Sequence, residues 1–254
     1  MDLHLSGKRA LVTGGSRGIG RAILDHLARE GVALAFCARD AKDVQATAEA
    51  LKRHGVAVHG TSVDVGDEAA YRDWLMASVE ALGGVDIFIP NVSAGAGDPG
   101  DDAAWHANFS VDLMHFVRGA RLLLPHLSAS KAGAIVVINT IAASETFLAP
   151  TSYAALKAAM LTHAKQLAKA VAAHGVRINS VSPGPVWFEG GAWDRVRHEN
   201  PGFFAEIEGR CALSRMATPD DVARAALFLA SPAAAAITGT NLLVDAGYSE
   251  RVQF

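Results

Sequence analysis

Tyr153 and Lys157 lie four positions apart in a stretch, residues 152–174, whose apolar spacing reads as a long helix. At that spacing both side chains leave the same helix face. A free phenol titrates at about 10, too high for easy proton exchange near neutrality. A neighbouring ammonium favours the phenolate and lowers that value, each unit corresponding to about 1.4 kcal/mol. The pair is a candidate general acid and base. Tyr-x-x-x-Lys is common on helices, so the pair needs a third group to become a site. Thr140 ends an apolar strand-like run, residues 133–139, and offers a hydroxyl. A carbonyl held between Thr140 and Tyr153, beside a nicotinamide, could accept a hydride.

A second signal stands near the start of the chain. Thr13-Gly14-Gly15-Ser16-Arg17-Gly18-Ile19-Gly20 follows the apolar run Ala10-Leu11-Val12 and precedes a helix-like run, residues 21–30. Glycines at such a turn let backbone approach a pyrophosphate, while the helix N-terminus presents N–H groups and the positive end of its dipole. A strand before and a helix after make this a candidate dinucleotide seat rather than an ordinary turn. The next strand-like run ends in Cys37-Ala38-Arg39-Asp40. A free ribose 2′-hydroxyl calls for an acid there and a 2′-phosphate for an arginine. Ala38 stands where the acid would be, and Arg39 and Arg17 supply two positive charges. NADP is favoured over NAD, with Asp40 as the opposing feature. Val63-Asp64-Val65, after the third strand-like run, offers a carboxylate at the adenine edge, or else a turn or capping aspartate.

These residues must be positioned by the elements around them. Strand-like and helix-like runs alternate from end to end. Strands are expected at about residues 10–12, 32–37, 56–61, 85–89, 133–139, 176–181 and 241–244. Helices are expected at about 21–30, 42–54, 67–82, 103–127, 152–174 and 219–230, with residues 186–216 irregular and aromatic. Gly55, Gly83-Gly84 and Gly175 close three of the helices, and Pro183 stops the sixth strand. The alternation predicts an α/β fold: a Rossmann-type, doubly wound parallel sheet of about seven strands with helices on both faces. Residues 1–254 read as one domain, with no linker or repeat. Ligands of such sheets lie at the carboxyl ends of the strands, where Thr140, Arg39 and the glycine turn all fall.

Bulk composition narrows the function. A net charge of -3 gives no electrostatic case for nucleic acid. No apolar run reaches the roughly 18 residues of a membrane span, and the N-terminus shows no basic-then-apolar leader. Cys37 and Cys211 match no metal spacing and require no disulfide, which points to a reducing cytoplasm. The ten histidines lack ligand spacing, so no metal is expected. Asp98, Asp101 and Asp102 read as loop and helix N-terminal charges rather than an acid pair.

With both signals in place, the whole chain resembles a short-chain dehydrogenase/reductase of the single-domain type, with 3-oxoacyl reductases as the nearest general comparison. The glycine turn, residues 13–20, is similar to the family's TGxxxGIG. Tyr153 and Lys157 match its YxxxK, and residues 177–184 its segment after the sixth strand. The resemblance implies an NAD(P)-dependent carbonyl/alcohol oxidoreductase, a homotetramer or homodimer. It assigns the proton to Tyr153, the nicotinamide ribose to Lys157 and the carbonyl to a hydroxyl, here Thr140. It also implies cofactor contacts along Gly14, Ser16, Arg17, Gly18, Ile19 and Gly20, and at Asn91, Pro183, Gly184 and Val186.

Four departures surround this site. The usual Ser is Thr140. The family Asn that anchors a proton-relay water falls on Asp112, which brings a charge near the lysine. The NNAG motif reads Pro90-Asn91-Val92-Ser93, keeping only Asn91 in place. The Thr after the Pro-Gly falls on Phe188. An alternative therefore stands beside the active enzyme: a nucleotide-binding relative with lost or slowed catalysis, serving as a sensor or assembly subunit. Residues 186–216 are expected to form the substrate lid, with Trp187, Phe188, Trp193, Phe203 and Phe204 as pocket wall or subunit contact. Glycines 190, 191 and 202 are its candidate hinges, and residues 95–102 the opposite wall. An apolar carbonyl or alcohol suits the aromatics, whereas Arg195, Arg197 and His198 would suit an acidic group. Residues 222–254 are the candidate subunit interface.

Overall fold

The computed structural model describes residues 2–95, 101–146 and 149–252. Its seven strands are β1 (Arg9–Thr13), β2 (Ala33–Ala38), β3 (Val58–Ser62), β4 (Ile87–Ile89), β5 (Ala134–Ile138), β6 (Arg177–Pro183) and β7 (Asn241–Val244). All pair in parallel, in the order β3-β2-β1-β4-β5-β6-β7. The chain winds outward from β1 to β3, returns to the centre at β4, and winds outward again. The order therefore reverses between β1 and β4, which opens a crevice at their carboxyl ends.

Among the described residues nine α-helices connect the strands: α1 (Gly18–Arg29), α2 (Ala41–Lys52), α3 (Glu68–Leu82), α4 (Asp102–Asn108), α5 (His115–Ala129), α6 (Thr151–Val171), α7 (Ala192–Glu199), α8 (Pro201–Gly209) and α9 (Pro219–Ala230). Alternate strand residues face opposite layers. Ala10 and Val12 join a core with Ile23, Leu27, Val44 and Val222, from α1, α2 and α9. Leu11 joins the other core with Trp74, Phe116 and Met160, from α3, α5 and α6. Burial on both faces is why the central strands are continuous apolar runs.

Local chemistry sets the helix ends. Asp40 and Asp67 cap α2 and α3, each accepting two backbone N–H groups through its side chain. Gly83 closes α3 at φ 68°, a left-handed position that suits glycine. Asp40 is thus engaged as a cap through Oδ1.

Three expectations need correction. The helix at residues 103–127 is divided into α4, a π-helical turn at Phe109–Met114, and α5. The wider turn changes the direction of the side chains it carries, Asp112 among them. Residues 186–216 are not simply irregular, because they hold α7 and α8. Asn200 accepts from the Phe203 N–H and Pro201 takes the first helical position, a start signal masked by the neighbouring glycines. Finally, β6 runs through Ser182 and Pro183, which align with Leu243 and Val244 of β7.

Candidate active site

The carboxyl end of β5 and the first turns of α6 carry the candidate reacting groups Thr140, Tyr153 and Lys157. The Lys157 ammonium lies 5.7 Å from the centre of the Tyr153 ring. Tyr153 is partly exposed, and among the described residues its hydroxyl makes no hydrogen bond. Thr140 follows β5 directly. Its oxygen accepts from the Ala142 N–H at 3.2 Å, leaving its own hydrogen available to donate. Asn139 ties strand to helix: its amide donates to the Lys157 carbonyl at 3.0 Å, and its oxygen accepts from Thr140 N–H at 2.8 Å. Asn108 does the same from α4, donating to Ser152 Oγ at 2.9 Å.

Lys157 is almost sealed from solvent at 2% exposure and pairs with Asp112, at 0%, across 3.1 Å. Its ammonium also reaches the Ile138 carbonyl at 3.4 Å. The second Asp112 oxygen accepts from the Ala94 N–H at 3.0 Å. His115, fully buried one turn further, faces this pair. Burial, and then repulsion from Lys157, push its imidazole down to about 4 against the opposing pull of Asp112. It is therefore neutral at neutral pH. Its Nε2 lies 3.5 Å from Thr13 Oγ1.

The glycine turn joins β1 to α1. Gly14 and Gly18 adopt φ of 70° and 54°, positions that disfavour a side chain. At Gly20 a Cβ would meet the Gly14 carbonyl and the Asn91 amide. Asn91 pins this turn across the crevice. Its amide donates to Thr13 O at 3.0 Å and Gly14 O at 3.2 Å, and its N–H donates to Thr13 Oγ1 at 2.9 Å. Arg17 precedes α1 without capping it by side chain, and the first turn holds no acid. The first N–H groups of α1 thus receive no side-chain cap from Arg17. Arg17 and Arg39 are exposed, and among the described residues neither guanidinium pairs with a carboxylate. Ser16 lies between Gly15 and Arg17, and Ile19 packs on the first core.

The remaining positions border the same crevice. Asp64 Oδ1 accepts from the Gly66 N–H at 2.9 Å, a turn contact, while Val65 beside it is buried. Ser93, where the family has glycine, accepts from the Gly95 N–H at 3.1 Å. Pro183 ends β6, and a Cβ on Gly184 would strike Asp245. Val186 is buried and bridges to Ala217. The Phe188 ring lies on the glycine turn, where a Cβ on Gly18 would meet it at 2.7 Å. Beyond it, Phe204, Ile207, Cys211, Met216 and Tyr248 form a separate core with Ile141, next to Thr140. Trp187 packs on this core, its indole N–H enclosed without a hydrogen-bond partner. The Arg197 guanidinium lies 5.3 Å from the Trp187 ring centre and 5.8 Å from that of Phe204. Most of the expected opposite wall, residues 96–100 with Asp98, lies outside the described residues.

Residues 14–249 match the family model described as enoyl-(acyl carrier protein) reductase. This chain belongs to the short-chain dehydrogenase/reductase family. Isoepoxydon dehydrogenase from Penicillium expansum is 34% identical over 257 residues, covering 98% of each chain. A 3-oxoacyl-[acyl-carrier-protein] reductase of Chlamydia pneumoniae is 32% identical, over 97% of this chain and 99% of that one. L-Sorbose reductase from Gluconobacter frateurii, solved with NADPH and L-sorbose, superposes with a TM-score of 0.91 at 29% identity, over 99% and 100% of the two chains. The family is one of oxidoreductase enzymes, and the seven-stranded sheet is its Rossmann-type fold.

Three residues around the candidate site are not singled out by the sequence, His115, Asn139 and Ser152, while Thr13 stands there only as the opening of the glycine turn. Each is an ordinary polar residue within or beside an apolar run. Asn139, next to Thr140, was open to discovery as a polar residue ending a strand on the ligand side.

Proposed function

We propose that this chain is an NADP(H)-dependent oxidoreductase interconverting a carbonyl and an alcohol, with Tyr153 as the proton-transferring group. The observation that carries the reading is a phenol without a hydrogen-bond partner among the described residues, beside a buried ammonium and the Thr140 hydroxyl, after the carboxyl end of β5. Three features fit the cofactor: an uncapped α1 N-terminus, the glycine turn before it, and two exposed arginines without carboxylate partners. Gly14, Ser16, Gly18, Ile19 and Gly20 would hold the diphosphate. Arg17 and Arg39 would hold a 2′-phosphate, and this charge is the ground for preferring NADP(H) to NAD(H). Asp64 and Val65 would border the adenine, and Asn91, Pro183, Gly184 and Val186 the nicotinamide half.

A nicotinamide cofactor held by these residues would supply hydride to the carbonyl carbon, or accept it from the alcohol carbon. Thr140 donates its hydroxyl hydrogen to the substrate oxygen and orients it. Tyr153 gives that oxygen its proton in reduction and takes it back in oxidation. Lys157 has one N–H beyond those facing Asp112 and Ile138, and this one would reach the cofactor's ribose. The lid core at Ile141 supports a substrate with an apolar body. We place the protein in the cytoplasm as a homotetramer or homodimer, with residues 222–254 in the contacts; Leu242, 38% exposed on the edge strand β7, supports that placement.

Tyr153→Phe is expected to lower turnover at least 10²-fold while NADPH binding stays within about two-fold of wild type, by fluorescence titration. Undiminished turnover would overturn the role of Tyr153. The Phe188 ring on the glycine turn favours the second reading, a nucleotide-binding relative with slowed catalysis. That reading gains if NADPH binds and a broad screen of carbonyls and alcohols shows no turnover.

A further inference from the structure

Asp112 takes the place where the family has an amide, and the structure ties it directly to the lysine. We propose that Asp112 is a positioning residue that balances the charge of Lys157, so that Tyr153 stays a proton donor further into the alkaline range and the site is suited to carbonyl reduction. This rests on the acid–base role proposed for Tyr153.

An asparagine could make similar contacts through its carboxamide, so what Asp112 adds is a charge. The 3.1 Å pair is enclosed, with 2% and 0% of the two side chains exposed, so salt and water screen it little. The carboxylate is held from both sides, by Lys157 on one oxygen and the Ala94 N–H on the other. The π-helical turn gives Asp112 its direction towards α6. The groups facing the pair are few. Tyr153 faces it from the same helix as Lys157, and His115, neutral at pH 7, from α5. The strand β5 contributes the Ile138 carbonyl, and the segment after β4 the Ala94 N–H. Among the described residues neither Asp112 nor Lys157 has a second ion-pair partner. The ammonium beside the Tyr153 ring is thus offset by a carboxylate in contact with it. At an effective dielectric of about 20, one unit charge a few residues' width away shifts a titration by about one pH unit.

The chain has three tyrosines, which makes the test direct. Tyr71 is buried and held well above the usual phenol range, and Tyr248 is also raised by burial. Phenolate absorbance is followed against pH in the cofactor-free protein, and the same titration of a Tyr153→Phe partner is subtracted. In the Asp112→Asn background the Tyr153 transition is expected about one unit lower than in wild type, and the high-pH fall of the reductive rate is expected to move with it. A transition that stays in place, or moves upward, overturns the proposal. Near-UV circular dichroism verifies the fold first. Asp112→Ser, which also removes the charge and can accept from Ala94, carries the same expectation if the Asn variant does not fold. The titration needs no turnover, so charge balance can fail while the Tyr153 assignment stands, and the reverse.

Discussion

His115 links the site to acid stability. Its imidazole titrates at about 4 in the folded chain and at about 6.5 when exposed. Between those values the unfolded chain takes up a proton that the native one refuses. Stability is therefore lost as pH falls from about 6.5 towards 4, by about 3 kcal/mol for this group. Urea unfolding of wild type and His115→Gln at pH 7.5 and 4.5 isolates that share. The stability difference between the two proteins is expected to shift in the variant's favour at the lower pH. Residues at this scale were legible where their spacing states a chemistry. Tyr153 with Lys157 is such a pair, and Thr140 follows from its place after a strand. Asp112 could be reached through family resemblance alone, and His115 not at all. Its contact with Thr13 spans 102 positions, a relation that no local pattern carries.

At the scale of elements, end chemistry decides most boundaries. Thr218 and Asp221 form a reciprocal capping box at the start of α9, with Pro219 in the first turn. Arg215 reinforces it by holding the Asp221 carboxyl down at about 2. Thr218→Ala is expected to cost about 1 kcal/mol in chemical denaturation. A loss below about 0.3 kcal/mol would mean that packing alone sets this end. The lid offers a different test. Phe188 rests on Gly18, at the N-terminus proposed to receive phosphate. Phe188→Thr removes the ring and adds a hydroxyl, so NADPH is expected to bind about five-fold tighter, roughly the worth of one hydrogen bond. Weaker binding would show instead that the ring shelters the seat. The order of strands and helices was readable because both sheet faces are covered and the central runs are apolar throughout. The break at residues 109–114 was not, because a π-helical turn keeps helical composition while adding a residue to one turn. In residues 186–216 the Asn200-Pro201 start signal is masked by the glycine that follows it, Gly202.

For the whole molecule, alternation of strand and helix was enough to imply one doubly wound sheet, and the reversal between β1 and β4 follows from that topology. The closing of the layers was not legible, because it depends on which distant helices become neighbours. The first and last α-helices share one core, through Ile23, Leu24 and Leu27 of α1 and Val222, Ala223 and Ala226 of α9. His26 and Asp220 meet at 2.6 Å although 194 positions separate them. This pairing bears on how the protein is made. The helix α1, proposed to face the cofactor's phosphates, emerges early in synthesis, and its packing partner α9 emerges near the end. Until α9 arrives, α1 rests only on β1, β2 and α2, its flank towards α9 stays uncovered, and the growing chain must be kept from aggregating. A chain ended after residue 218 keeps every residue assigned above to the cofactor. It is nevertheless expected to lose NADPH binding and to aggregate. On this expectation, order of synthesis makes the proposed nucleotide seat a late property of the chain, available only once α9 has docked.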